Sequence, residues 1–299
     1  MKTSFVISAA VSALILAACN SANAPAPAAR EAAAAAASAE PAGLSLQDVI
    51  ASEHRTEAEK ARDAWRNPAA TLEFFGVTPD QKVVEIWPGG GWYTNILAHW
   101  IASGGGTLVA AGWDPASTDD PERRALIEQR LAEFKETYAD PRFGTMEYSA
   151  FSAQSGPLTE PGTADAVLTF RNVHNWMAGG YTEKFFTDAF EALKPGGVLG
   201  VVEHRLPSTR TQDPTASSGY VHEDFVKSLA AAAGFEFVEA SEINANPADT
   251  ADHPCGVWTL PPNNRTNCAA AAAIEGLDPE SFKAIGESDR MTLKFRKPG

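Results

Sequence analysis

The chain has 299 residues, of which 44% are hydrophobic and 21% are charged, a balance typical of a globular protein. Its formal charge is −14, because 38 acidic residues outnumber 24 basic ones, and no run of Lys and Arg forms a basic patch. These values argue against general binding to a nucleic-acid backbone or to an anionic membrane surface. Three cysteines are too few for a disulfide-dense scaffold and leave one odd thiol.

The N-terminal residues have the pattern of an export signal. Lys2 provides a positive start, and the apolar run Phe5–Ala18 is too short to span a bilayer. The run ends in Leu16-Ala17-Ala18-Cys19, which resembles the lipobox of bacterial lipoproteins and implies cleavage before Cys19 and lipidation of that cysteine. An ordinary secretory signal with an incidental cysteine is the alternative. Asn20 after the cysteine favours the outer membrane, by the same resemblance.

We therefore expect residues 1–18 to be a removable signal peptide. Residues 19–43, which are rich in alanine and proline, are expected to form a linker, because such a composition cannot bury a core. The folded part would then be residues 44–299, in the periplasm of a Gram-negative bacterium. Its attachment to the membrane would depend only on the lipid at Cys19.

The first residues of the folded part predict two helices. Ser45 with Asp48, and Thr56 with Glu59, have the spacing of a helix N-cap and an acidic residue in the first turn. The second helix is expected to end near Asn67. Both helices would precede the first strand as an N-terminal addition to the sheet.

From residue 82 onward, short apolar runs alternate with amphipathic segments. Near-continuous apolar runs, which are typical of parallel strands covered on both faces, occupy residues 83–87, 107–111, 164–170 and 198–203. The helical segments between and after them are residues 93–102, 121–138, 182–193 and 222–233. Three further strand candidates lie in residues 142–152, 235–243 and 291–297. This alternation predicts an α/β fold with a doubly wound, mostly parallel, seven-stranded sheet.

The segment between the last two predicted strands, residues 244–290, is long for a plain connection and is predicted to be a functional C-terminal insertion. It carries the other two cysteines, Cys255 and Cys268. With Cys19 lipidated, these two are expected to form a disulfide in an oxidising compartment. Two reduced, buried cysteines are the alternative.

The most informative stretch is residues 83–94, in which a buried strand leads into Gly89, Gly90 and Gly91 and then into a helix. Glycines at such a turn let the backbone approach a ligand closely, with free amides at the start of the helix. The stretch matches neither the Gly-x-Gly-x-x-Gly dinucleotide fingerprint nor a phosphate-binding loop ending in Gly-Lys-Ser/Thr. It does carry an acidic residue, Glu85, on the strand before the turn.

This stretch resembles the first motif of the class I S-adenosylmethionine-dependent methyltransferases, Asp/Glu-x-Gly-x-Gly-x-Gly. Glu85, Gly89 and Gly91 match three of its marked positions, whereas Trp87 stands in place of its first glycine. The indole of Trp87 is expected either to pack under the loop or to reshape the methionine end of the pocket. The resemblance extends over residues 70–243.

Three later segments resemble the same family in the same order. Residues 108–114 resemble the second strand, whose terminal carboxylate, here Asp114, accepts hydrogen bonds from the ribose hydroxyls. Residues 165–174 resemble the fourth strand and the active-site turn after it. Residues 193–199, which begin with Leu-Lys-Pro-Gly-Gly, resemble the turn before the fifth strand. The whole chain looks like a bacterial group known only as predicted methyltransferases.

The resemblance implies a Rossmann-like fold and S-adenosylmethionine as the cofactor. The residues expected to bind it are Glu85, Trp87, Gly89, Gly90, Gly91, Tyr93, Asp114 and Asn172. No Asp follows the third strand at the place where an acidic side chain usually meets the adenine amine, so Ser149 or Ser152 would substitute there.

The turn after the fourth strand carries the candidate catalytic residues, His174 and Arg171. A histidine at the carboxyl edge of an open α/β sheet is well placed to act as a general base. The alternative is that His174 and Trp176 close the pocket and fix the loop. No metal site is predicted.

The sequence thus predicts an enzyme that transfers a methyl group from S-adenosylmethionine to an unidentified small molecule. A non-catalytic, exported ligand-binding protein that reuses the fold is the alternative. Trp87 motivates it, and so does the compartment, because S-adenosylmethionine is made in the cytoplasm. No nucleic-acid partner is expected, and the sequence does not indicate an oligomeric state.

Overall fold

The computed structural model describes residues 43–299. The expected signal peptide, the expected lipidation site Cys19 and the linker as far as residue 42 lie outside the described residues. Among the helices that are described, none combines the length and the apolar character that a membrane span requires.

Seven strands form one sheet. They are β1 (Lys82–Ile86), β2 (Thr107–Trp113), β3 (Glu147–Phe151), β4 (Ala164–Phe170), β5 (Leu193–His204), β6 (Glu236–Ser241) and β7 (Arg290–Arg296). Their order across the sheet is β3-β2-β1-β4-β5-β7-β6, and only β7 runs antiparallel to its neighbours among the described strands. The predicted seven-stranded, mostly parallel sheet is confirmed, and each predicted strand overlaps an observed one.

The central strands are apolar throughout because both of their faces are covered. Val84 and Ile86 of β1 belong to one apolar cluster, whereas Val83 belongs to a second cluster on the opposite face. Successive side chains of a strand point to opposite faces, so a strand buried on both sides has no polar alternation. This arrangement leaves the carboxyl edge of the parallel strands as the place where polar side chains gather.

Helices connect the strands and cover the sheet. The leading helices are α1 (Leu46–Ala51), α2 (Glu57–Lys60), α3 (Asp63–Arg66) and α4 (Pro68–Phe75). The helices between strands are α5 (Thr94–Gly104), α6 (Pro121–Thr137), α7 (Val173–Gly179), α8 (Thr182–Ala192) and α9 (Glu223–Ala232). Two short helices, α10 (Ala269–Ala272) and α11 (Pro279–Lys283), lie between β6 and β7.

The prediction of two leading helices was wrong, because four short helices precede β1. The caps were correct: Ser45 accepts a hydrogen bond at the start of α1, and Thr56 forms a capping box with Glu59 at the start of α2. Asn67 then adopts a left-handed conformation with φ 39°, and Pro68 begins α4. Proline disfavours a helical conformation in the residue before it and fits the first helical position, so it separates α3 from α4.

The connection between β6 and β7 carries a disulfide between Cys255 and Cys268, whose Cα atoms are 5.8 Å apart. The predicted pairing is therefore confirmed. Next to it, Val257 belongs to a small apolar cluster with Tyr220, which extends the core beyond the sheet. The interpretation of this connection as a functional insertion stays a prediction.

Candidate functional site

Two neighbouring strands end in the same strained conformation. Trp87, the first residue after β1, has φ 47°, and Arg171, the first residue after β4, has φ 64°. Their backbone amides still continue the sheet, since Trp87 N donates to Ala111 O at 2.8 Å and Arg171 N donates to Val202 O at 2.7 Å. A left-handed non-glycine residue costs about 1–2 kcal/mol, and such strain is concentrated at functional sites. These two turns mark the candidate site.

The indole of Trp87 forms a wall across the strand ends. Its Nε1 donates a 2.9 Å hydrogen bond to Phe151 O at the end of β3. Edge-to-face contacts with Trp113, Trp176 and Tyr181, with centroids 5.8–6.5 Å apart, hold the ring in place. The side chain therefore reaches toward the third strand, a direction that the sequence did not predict. Aromatic burial of this kind offsets the strain of its backbone.

The three glycines of the first turn differ in function. Gly89 and Gly91 have positive φ values of 61° and 83°, which glycine adopts without strain. A Cβ on Gly91 would collide with the hydroxyl of Tyr138, so this glycine is required for packing. A Cβ on Gly89 or Gly90 would meet no atom within 4 Å. Those two positions face open space that a ligand could occupy.

Asp114 lines a cavity of about 630 Å³ at the carboxyl edge, together with Trp87, Gly89 and Asn172. Its Oδ2 accepts a 2.8 Å hydrogen bond from the hydroxyl of Ser152, and its Oδ1 accepts one from Ala116 N at 2.9 Å. A carboxylate has about four lone-pair sites, so about two remain for a ligand.

The two serines that were expected near the adenine end have different partners. Ser152 orients Asp114, whereas the hydroxyl of Ser149 donates to Leu158 O at 2.6 Å. On the far side of the same cavity, Asn172 donates from Nδ2 to Ile86 O at 3.0 Å, which fixes its amide between β1 and β4. Of the two serines, Ser152 is the one that lines the cavity of Asp114, and its side chain contacts Asp114 directly.

A second cavity, of about 360 Å³, lies on the other side of the glycine turn. We call it the arginine cavity, because Arg62, Arg66 and Arg171 line it. It also contains predicted site residues, namely Glu85, Trp87, Gly89, Gly90, Tyr93 and Asn172. The structure therefore brings Arg171 together with most of the residues expected to bind the cofactor.

Glu85 and Tyr93 form the buried base of the arginine cavity. Glu85 is 2% exposed, and burial raises its pKa to about 7. The ring of Tyr93 stacks on Phe170, with centroids 3.6 Å apart, and its hydroxyl donates to Arg66 O at 3.1 Å. Burial likewise raises the pKa of Tyr93, so its hydroxyl stays a hydrogen-bond donor.

Glu287, which precedes β7, holds the arginines of the leading helices in place. Its carboxylate accepts hydrogen bonds from Arg62 Nε at 2.6 Å, from Arg66 Nε at 2.9 Å and from Arg290 Nη1 at 3.1 Å. Burial alone would raise the pKa of Glu287, but Arg66, Arg290 and Arg62 outweigh it and lower that pKa to about 2. Burial, followed by repulsion from Arg171, lowers the pKa of Arg66.

Arg62, Arg66 and Glu287 were not among the site residues predicted from the sequence. Arg62 and Arg66 belong to helical segments before the first motif, and Glu287 lies more than 200 residues further along the chain. One feature of the sequence could have indicated them: Arg62 and Arg66 are four residues apart, a spacing that places both side chains on one side of a helical segment.

His174 lies at the start of α7 and is 6% exposed. Its Nδ1 is 3.0 Å from Glu203 Oε1, and its backbone N donates to Glu203 Oε2 at 3.3 Å. The neighbouring ring of Trp258 has its centroid 6.0 Å from that of His174. The two predicted catalytic residues thus have different surroundings: Arg171 lines the arginine cavity, whereas His174 lines neither of the two cavities and is paired with a buried carboxylate.

His204 completes a cluster in which the possible ligand atoms of His174, Glu203 and His204 lie within 4.8 Å of one another. Its Nδ1 lies 2.5 Å from Ser288 Oγ. Burial lowers the pKa of His204 well below its usual range, and the positive charge of Arg171 contributes in the same direction. The same positive charge would weaken the binding of a cation here.

No family model matches the chain, and no curated protein matches it by sequence. Among similar solved structures, a putative methyltransferase from Bacillus halodurans is 16% identical with a TM-score of 0.49, covering 78% of this chain and 100% of that chain. A SAM-dependent methyltransferase from Aquifex aeolicus is 14% identical with a TM-score of 0.46, covering 67% and 94% respectively.

A third solved structure is the 1,6-didemethyltoxoflavin-N1-methyltransferase of Burkholderia thailandensis, with bound 1,6-didemethyltoxoflavin and S-adenosylhomocysteine. It is 14% identical with a TM-score of 0.46, covering 93% of this chain and 94% of that chain. At these identities and TM-scores, the three likenesses carry no argument about this chain.

Proposed function

We propose that the protein is an S-adenosylmethionine-dependent methyltransferase that acts on a small molecule. The observation that carries the proposal is Asp114, which Ser152 orients and which lines the larger cavity beside Gly89. A carboxylate with free lone pairs suits a pair of ribose hydroxyls, and the open space at Gly89 and Gly90 suits a ligand close to the backbone. The residues present therefore fit a nucleoside cofactor.

S-adenosylmethionine, when bound, would supply a methyl group on a sulfonium that is already a good leaving group. The protein then has to align the acceptor and exclude water. Asp114 would hold the ribose, and Asn172 would shape the cavity from the opposite side. The aromatic wall formed by Trp87 and Trp113 would cover apolar parts of the ligand and keep water away from them.

We propose His174 as the base that removes a proton from the acceptor. If Nδ1–H donates to Glu203, the imidazole is fixed in the tautomer whose Nε2 can accept a proton. His174→Gln should leave the affinity for S-adenosylhomocysteine unchanged and lower turnover of an acceptor by about 10²–10⁴-fold. Unchanged turnover would leave His174 and Trp176 with the alternative role of fixing the loop.

We also propose that the chain is exported and lipidated at Cys19 in a Gram-negative bacterium. The proposal rests on the Leu16–Cys19 pattern, and the disulfide between Cys255 and Cys268 is consistent with an oxidising compartment. Metabolic labelling with a fatty acid should mark the wild-type protein and not a Cys19→Ala variant. Equal labelling of both would contradict the proposal.

Isothermal titration with S-adenosylhomocysteine tests the main proposal. The wild type should bind it, and Asp114→Ala should weaken binding about tenfold to hundredfold, as expected for the loss of a charge-assisted hydrogen bond. Asp119→Ala is the matched control, because Asp119 is exposed on the following loop. Absence of binding at millimolar concentration would favour the non-catalytic binding protein, whose ligand could then be sought by mass spectrometry of the purified protein.

A further inference from the structure

An open cleft of about 860 Å³ lies on the connection between β6 and β7, in the loop that the disulfide between Cys255 and Cys268 closes. We call it the loop cleft. It shares no lining residue with the cavity of Asp114 or with the arginine cavity, so it is separate from the proposed cofactor site. Its lining consists of one aromatic and five polar residues: Trp258, Asn263, Asn264, Arg265, Thr266 and Asn267.

The indole of Trp258 is held in place by the body of the protein. It is partly buried and packs against the small apolar cluster that contains Tyr220 and Val257. Its ring also makes an edge-to-face contact with His174, with centroids 6.0 Å apart. An aromatic ring fixed in this way offers a ligand an apolar surface that does not have to be ordered on binding.

Backbone hydrogen bonds fix the loop around the cleft. Arg265 N donates to Trp258 O at 2.8 Å, and Asn264 N donates to Leu260 O at 3.1 Å. Leu260 is fully buried and anchors the loop in the protein. Together with the disulfide, these contacts form the cleft before a ligand binds, which lowers the entropic cost of binding.

The polar side chains of the cleft keep unused donors and acceptors. Asn264 Nδ2 donates to Pro262 O at 3.2 Å, and Arg265 Nε donates to Asn267 Oδ1 at 3.3 Å. The side chain of Asn263 forms no hydrogen bond to any described residue. An asparagine side chain has two N–H donors and an acceptor oxygen. The cleft therefore offers a ligand neutral groups that both donate and accept.

The charge of the cleft favours a neutral ligand. Among the described residues, Arg265 is the one charged residue of its lining, and no carboxylate lines it. Arg265 is exposed, so water and salt screen its charge. Amide groups beside an aromatic ring instead suit a ligand that combines hydroxyl groups with an apolar face. A sugar ring has both, because its hydroxyls donate and accept and its C–H groups form an apolar face.

We propose that the loop cleft binds a neutral saccharide. One sugar ring would stack on the indole of Trp258, and its hydroxyls would exchange hydrogen bonds with the amides of Asn263 and Asn267. The proposal goes beyond methyl transfer, because none of these three residues is assigned to the cofactor or to the base. The bound sugar would touch a ring that also contacts His174, the proposed base.

Isothermal titration of the purified protein with maltotriose, cellotriose and chitotriose tests the proposal. The wild type should bind at least one of these neutral trisaccharides saturably. Trp258→Ala should bind it about tenfold to hundredfold more weakly, because the stacking surface is lost. Trp65→Ala is the matched control and should bind as the wild type does, because Trp65 is 39% exposed on α3.

A second variant covers the case in which Trp258→Ala disturbs the folding of the loop. Asn263→Ala removes an exposed side chain that forms no hydrogen bond within the described part of the chain, so it should fold as the wild type does. It should bind the trisaccharide about three- to tenfold more weakly. Gln47→Ala, which removes an exposed amide from α1, should bind with wild-type affinity.

Absence of binding for all three trisaccharides would overturn the proposal, and so would wild-type affinity in both Trp258→Ala and Asn263→Ala. Inorganic phosphate is titrated at the same ionic strength. Phosphate binding that Arg265→Gln removes, without binding of a trisaccharide, would show an anion site instead and would also overturn it. If a trisaccharide binds but S-adenosylhomocysteine does not, the saccharide site stands and the methyltransferase proposal fails.

Discussion

Thr94 Oγ1 donates a 2.7 Å hydrogen bond to Glu85 Oε2, and both side chains are buried. This bond joins the end of β1 to the first residue of α5 across the glycine turn. It is the one side-chain hydrogen bond that the Glu85 carboxyl group makes among the described residues. One hydrogen bond does not compensate for the loss of water around a buried carboxylate, so the neutral form of Glu85 is favoured.

The stability of the protein should therefore depend on the protonation of Glu85. Its pKa is about 7 in the folded state and 4.5 when unperturbed, so its stabilising contribution is present below pH 4.5 and is lost as pH rises through 7. The shift corresponds to about 3 kcal/mol. When the pH is raised from 4.5 to 8, the free energy of unfolding measured in urea should fall by about 3 kcal/mol more for the wild type than for Glu85→Gln. Glu128→Gln, at an exposed position of α6, is the control, and parallel curves for all three proteins would contradict the prediction.

The two strained turns should differ in how far a substitution by glycine changes stability. Trp87→Gly relieves about 1 kcal/mol of backbone strain but removes a large, partly buried aromatic side chain that packs against the core, so a net loss of about 2–4 kcal/mol is expected. Arg171→Gly loses no side-chain hydrogen bond to a described residue, so the unfolding free energy should stay within about 1 kcal/mol of wild type. Guanidinium unfolding of both variants measures the difference. A large loss in Arg171→Gly would mean that its side chain stabilises the fold.

The sheet could be predicted from the sequence because burial on both faces produces continuous apolar runs. Residues 164–170 were predicted as a strand with the observed bounds of β4. The first turn was also predictable, because glycines between a strand and a helix indicate a tight turn where the backbone can approach a ligand closely. The division of the leading segment was not predicted, although Pro68 marked its last break.

The arginine cavity depends on tertiary contacts that no local pattern encodes. Arg66 packs against Trp92 and pairs with Glu287, which lies 221 residues further along the chain. The direction of the Trp87 side chain similarly depends on the end of β3. Sequence patterns identified which turn carries the site, whereas packing determined which side chains line it.

Removal of the Glu287 carboxylate should destabilise the fold strongly. Glu287→Ala would leave Arg66 and Arg290, which are 4% and 1% exposed, buried without their counter-charge. Breaking a buried ion pair from one side typically costs about 3–5 kcal/mol. Glu280→Ala should change stability by less than about 0.5 kcal/mol, because its pair with Lys283 is exposed. Urea unfolding at neutral pH would distinguish the two, and similar values would contradict a structural role for Glu287.

The disulfide should contribute to stability through the connection between β6 and β7. Cys255 and Cys268 are separated by 13 residues, and closing a loop of this length is worth about 3 kcal/mol in the chain-entropy description. A Cys255→Ala/Cys268→Ala variant should therefore unfold at lower urea concentration than the oxidised wild type. Wild type treated with a reductant should match the double variant. No difference between oxidised and reduced wild type would show that packing alone maintains this connection.

Arg66 and Glu287 are 221 residues apart in sequence, yet their ion pair forms one side of the arginine cavity. No fragment that lacks either the leading helices or the approach to β7 can assemble that side. This side of the cavity is consequently a property of the finished chain, and a polypeptide still emerging during synthesis would lack it. Formation of the pair between Arg66 and Glu287 would therefore serve as a readout of completed folding.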